Sequence, residues 1–183
     1  MTYRSVGALL HETGMVSAEK AHSVLEGLAA HADKKLAPHE AADALVEFGA
    51  AVSVHVDDID SIYEDYAPLL AAAAEIAGGR VTVTDVRIVK GEGGFEDGGR
   101  CDLLEFERNG TLVSLVAEHF SEEYYDHETA YLAIRKTAHD DDPRSWHNVD
   151  FAREPGSIHD NVIVLATPAQ SEALHEHLGL TLF

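Results

Sequence analysis

The stretch Leu103-Leu104-Glu105-Phe106-Glu107-Arg108-Asn109-Gly110-Thr111-Leu112-Val113-Ser114-Leu115 decides the fold class. Asn-Gly is the favoured pair for a two-residue hairpin turn, because both central positions need positive φ. With Asn109-Gly110 as the turn, Arg108 pairs with Thr111, Phe106 with Val113 and Leu104 with Leu115. Leu104, Phe106, Val113 and Leu115 then share one face, and Glu105 and Glu107 the other, since side chains alternate along a strand. An antiparallel hairpin between helical patterns reads as α+β.

Upstream, Arg80 to Val89 is rich in β-branched residues, but its phase slips: Val81 and Val83 share one parity, Val86 and Ile88 the other. A bulge near Thr84-Asp85 restores one buried face. The glycine-rich, acidic stretch Lys90 to Gly99 reads as a loop. Downstream, Ser121 is expected to cap a helix running to about Thr137, with Glu122 and Glu123 in its first turn. His139 to Pro143 opens an irregular connection, from which Trp146, Val149, Phe151 and Ile158 tuck onto the core. Val162 to Ala166 is a short apolar strand. Thr167-Pro168-Ala169-Gln170 is a capping box with proline at the first helical position. That helix ends at Gly179, and Leu180 to Phe183 forms a last strand or packed tail. The expected order after Gly79 is β-β-β-α-β-α-β.

The first 79 residues read as helical. Ser17 caps a helix reaching about Lys35, with Ala18, Ala21, Val24, Leu25, Leu28 and Ala32 on one stripe. Pro38 starts a second helix whose stripe runs from Ala41 through Phe48 to Val52. A third spans about Ser61 to Ala77 and stops at Gly78-Gly79. The expectation is a single domain, 1–183, in which a helical portion (1–79) of about three helices packs on a small, mainly antiparallel sheet with two further helices (80–183).

Charge bounds the partners. The chain has 33 Asp+Glu against 13 Lys+Arg, a net of −20, with 45% hydrophobic residues. That apolar content separates it from acidic disordered chains. Residues 1–79 carry −9 and residues 80–183 carry −11, so no acidic tail exists. Nucleic acid and anionic membrane surfaces are excluded as partners, because affinity for them rests on Lys and Arg. A basic protein, a metal ion or a cationic ligand is favoured. Cys101 is the one cysteine, which fits a reducing compartment. The short apolar patch Val6 to Leu10 suits neither a secretion signal nor a membrane span, so a cytoplasmic location is expected.

His119 falls at the end of an expected strand. Glu123 and His127 lie one turn apart on the following helix, on one face. The three are the candidate ligands for a divalent metal, with Asp126 or Glu122 assisting. No H-E-x-x-H pattern backs them. His175 and His177 sit near a helix C-terminus, where protonated imidazoles complement the dipole. The acidic run from Asp57 to Asp65 fails as an EF-hand, since Tyr63 stands where the loop needs glycine. The Gly91 to Gly99 loop carries Glu92, Glu96 and Asp97, which a phosphate cradle would not. Cys101 reads as core or sheet packing.

Two function classes follow. One is a non-enzymatic acidic binding protein, of the immunity or inhibitor type that neutralises a basic toxin or enzyme; its composition resembles that of small bacterial immunity proteins. The other is a metal-dependent or acid–base enzyme centred on His119, Glu123 and His127. Protonation of all twelve His would cut the net charge to −8, which makes a response to pH a third expectation.

Overall fold

The Asn109-Gly110 turn forms with φ of 52° and 75° at its two residues. In the computed structural model, which describes residues 1–54, 66–94, 99–119, 127–151 and 161–183 (of His127 only the backbone), the chain divides into two compact units. The first combines Met1–Ser53 with Pro143–Phe183; the second is Val54–Asp142. The architecture is α+β.

The first unit begins with a helix that the apolar patch alone did not reveal. Helix α1 (Tyr3–Glu12) starts at Thr2, whose hydroxyl accepts from Ser5 N–H while the Ser5 hydroxyl accepts from Thr2 N–H. Helix α2 (Ala18–Gly27) is capped by Ser17 as expected, but it is shorter than its stripe implied. From Leu28 to Lys34 the backbone closes three-residue turns instead, and Ala32 is buried from one of them. Lys34, at the end of this stretch, pairs with Glu40 at 2.6 Å.

Helix α3 (Pro38–Glu47) also stops early. Phe48 ends it, and Gly49 takes φ of 69°, a left-handed conformation that turns the chain out of the helix. Val52, read as the end of a helical stripe, instead belongs to strand β1 (Ala51–Val54). Strand β5 (Ser145–Asp150) forms where an irregular connection was expected. It pairs antiparallel with β6 (Asn161–Ala166) and with β7 (Thr181–Leu182), setting Trp146 opposite Leu165 and Val149 opposite Leu182. Helix α6 (Pro168–Leu178) carries the expected capping box and ends at Gly179. The sheet order is β1-β6-β5-β7. Its core joins Leu10 of α1, Leu45 of α3, Phe48, Val164 of β6, Leu174 of α6 and Leu180, all essentially inaccessible to water.

The second unit holds helix α4 (Tyr66–Ile76), strands β2 (Val83–Val89), β3 (Arg100–Arg108) and β4 (Thr111–His119), and helix α5 (His127–Arg135). Two sheets thus form where one was expected, and the second has the order β2-β3-β4. All three hairpin pairs occur as expected: Arg108 with Thr111, Phe106 with Val113 and Leu104 with Leu115. The β2–β3 register slips between Thr84 and Arg87, at the anticipated bulge, where Asp85 has φ of 52°. Asn109 also accepts from the Thr82 N–H through its side chain (2.8 Å), tying the turn to the start of β2. Gly78 and Gly79 follow α4 with positive φ, as the sequence implies. The acidic run from Asp57 to Asp65, the expected cap Ser121, and Ile158 lie outside the described residues. Among the described residues no helix is long and apolar enough to cross a membrane.

Candidate functional site

The alternation that buries Leu104 and Phe106 also turns Asp102 and Arg100 toward the same inner face of β3. The β3–β4 register then sets Arg100 directly opposite His119 and Asp102 opposite Ala117. Three ionisable side chains meet in the interior of the second unit. Asp102 is fully buried, His119 is 1% exposed and the Arg100 side chain 11%.

Every carboxylate lone pair of Asp102 has a claimant. Oδ1 accepts from Arg100 Nε at 2.6 Å and from the Gly91 N–H at 2.8 Å; Oδ2 accepts from the second arm of Arg100 at 2.8 Å. His119 Nδ1 lies 2.6 Å from Oδ2. Gly91 is needed there. A Cβ on it would run into the Cys101 carbonyl oxygen, so no other residue allows the backbone to approach β3 this closely. Burial by itself raises the Asp102 pKa. The Arg100 guanidinium, the Gly91 amide and His119 outweigh burial and bring it down to about 2.

An ionised Asp102 can only accept hydrogen bonds, so Nδ1 of His119 carries the proton. In the neutral ring this leaves the lone pair on Nε2. That atom is buried, and no described residue bonds to it. A buried polar atom without a partner costs about 1–3 kcal/mol, so it invites either a donor or a cation. The arrangement matches a histidine oriented for metal binding, in which a carboxylate holds one ring nitrogen and the other faces the ligand.

Of the three residues singled out in the sequence, His119 stands in this network. Glu123 lies outside the described residues. His127 opens α5, and only its backbone is described. Among the described residues no group of three or more His, Cys, Asp or Glu side chains is arranged to hold a metal ion. His175 and His177 are exposed in the last turn of α6, where they suit its dipole.

Cys101 is in the sheet, but it is exposed rather than packed in the core. The register explains the correction: position 101 has the parity of Glu105 and Glu107, and points away from Leu104 and Phe106. The sequence reading missed Asp102 and Arg100 as partners of His119. The signal was present, because a carboxylate two residues before Leu104 on a core face demands donors.

The folded units also redistribute the charge. The second unit holds 21 acids and 7 bases, a net of −14; the first holds 12 acids and 6 bases, a net of −6. The division at Gly79 hid this, because the acids between Asp57 and Asp65 belong to the second unit. Glu75, Asp85, Glu92, Glu118, Glu128 and Asp140 are all exposed there. A cleft of about 710 Å³ in the same unit is lined by Arg108, Leu112, Leu132, Arg135 and Lys136. Arg108 there serves the end of α5: it donates to the carbonyls of Lys136 (2.9 Å) and Ala138 (3.0 Å) and pairs with Asp140 at 2.7 Å. No family model, curated protein or solved structure matches the chain.

Proposed function

We propose that the protein is a non-enzymatic binding protein that uses the acidic surface of its second unit on a basic protein partner. The concrete form is an immunity- or inhibitor-type protein that neutralises a cationic toxin or enzyme in a reducing compartment such as the cytoplasm. The observation that carries this reading is the net charge of −14 on one compact unit, with Glu75, Asp85, Glu92, Glu118, Glu128 and Asp140 among its exposed acids. Such a field repels polyanions and speeds the encounter with a basic surface. The test is to co-purify the partner from cells that make the protein, then measure association rates of the isolated pair across salt. The on-rate should fall at least about tenfold between low and high salt, as screening shortens the reach of the charges. A partner with no excess of Lys and Arg, or an on-rate indifferent to salt, sinks the reading.

One observation favours a second reading, a divalent-metal site serving metal-dependent or acid–base chemistry. It is the buried Nε2 of His119, held by Asp102 and without a partner among the described residues. Glu123 and His127 would supply the remaining ligands. Elemental analysis of protein made without a histidine tag decides it. A metal-free protein whose melting temperature ignores added zinc and manganese removes this reading.

A further inference from the structure

The outer face of the β2-β3-β4 sheet carries an apolar row that the described residues of the second unit leave partly exposed. The register places Val89 opposite Leu103 and Leu103 opposite Val116, one from each strand and all on one face. Val89 is 39% exposed and Val116 58%. The opposite face buries Leu104, Phe106 and Ala117, and the helices α4 and α5 contact β2 and β4. Leu103, between Val89 and Val116, is half-buried, and an apolar row that runs across all three strands marks an interaction surface more often than isolated exposed residues do.

Charge surrounds this row. On the same face Arg87 is neutralised by Glu105 at 2.6 Å, Glu107 stands opposite Leu112, and Glu118 stands opposite Cys101. The face is therefore apolar at its centre and negative at its rim, which is the anatomy of a protein interface. Two copies meeting through it would bring like charges together, on chains that each carry −20. An anionic lipid surface would meet the same repulsion. A basic surface with its own apolar centre meets none.

We infer that this sheet face is where the basic partner docks, with Val89, Leu103 and Val116 as the buried centre and Glu107 and Glu118 as the rim that faces the partner's Lys and Arg. The inference rests on the acidic binding role and names its contact surface.

The experiment follows backbone amides of the isotope-labelled full chain by NMR during titration with two short cationic peptides of equal charge. One alternates lysine with valine, the other lysine with glycine. The lysine–valine peptide should bind at least about tenfold more tightly, the worth of burying about one valine side chain. It should shift the amides of Val89, Leu103 and Val116. Shifts at Leu103, in the central strand, separate docking on the face from pairing at the edge of β4. Val89→Thr with Val116→Thr keeps β-branched shape and should remove most of the margin. Equal affinity for the two peptides, or shifts elsewhere, overturns the face but leaves the acidic role standing if binding weakens with salt. No binding by either peptide at low salt overturns both. A concentration-dependent dimer that Val116→Thr abolishes also overturns the inference, because the occupant is then a second copy.

Discussion

The two units bury different chemistry. The first unit closes over side chains such as Leu10, Phe48 and Leu174, and all four buried polar or charged residues among those described, Asp102, His119, Thr129 and Thr137, belong to the second. The histidines divide the same way. The first unit has eight of the twelve, among them His11, His22 and His31 on its surface, whereas His119 of the second is sealed inside. One chain thus contains a scaffold held by apolar burial beside a unit that spends part of its interior on an ionic network. Apolar burial stabilises without regard to direction. A buried network is favourable only while every member keeps its partner.

The largest effect that separates them is expected at Phe48. Its side chain is wholly buried in the first unit, and Phe48→Ala should cost that unit about 3–5 kcal/mol through lost transfer energy and the cavity left behind. Trp146, the one tryptophan, is buried in the same unit and serves as its fluorescence reporter during denaturant unfolding. A change below about 1 kcal/mol would mean the core there is not the close-packed cluster described.

Asp102→Asn should cost the second unit about 3 kcal/mol, because it strands the Arg100 charge in the interior. Amide hydrogen exchange along β3 and β4 reads this directly. The sign with pH follows from a folded pKa of about 2, below the usual 3.8. The contribution of Asp102 is complete above the unfolded value near 4 and is lost as pH falls through 2. The gap between the native protein and Asp102→Asn should therefore close on acidification from pH 4 to pH 2. A gap that persists unchanged in acid would show that the network is held by something other than the ionised carboxylate.

The smallest of these effects is local. Thr167→Ala removes the side-chain oxygen that accepts from Gln170 N–H at the start of α6, and should cost about 1 kcal/mol by Trp146 fluorescence. An effect on exchange in β3 and β4 as large as that on the fluorescence transition would mean the two units unfold as one.

Much of the local structure was legible in the chain. The Asn109-Gly110 turn, the register it sets, the bulge at Thr84-Asp85, the Thr167 capping box and the stop at Gly78-Gly79 depend on residues within a few positions of one another. Stripes misled where one residue outweighed them: Gly49 ended α3 before Val52, and the stripe from Val24 to Ala32 continued into turns. Strand β5 was hidden because its apolar residues do not alternate: Trp146 and Val149 stand three positions apart, on opposite faces. Only pairing with β6 and β7 satisfies its backbone, and that pairing is set by distant segments. His119 stood out as a candidate from its position alone, but its partner did not.

What the sequence determined by itself was the inventory and the punctuation: the net charge, the caps, the turns and the hairpin register, all fixed by neighbours along the backbone. Tertiary structure decided that the charge gathers on one unit, that Cys101 faces water and that Asp102 holds His119. Those outcomes join residues far apart in the chain, such as Gly91 with Asp102 and Asp102 with His119. Their pairing depends on which faces the sheet brings together, and no local period records that.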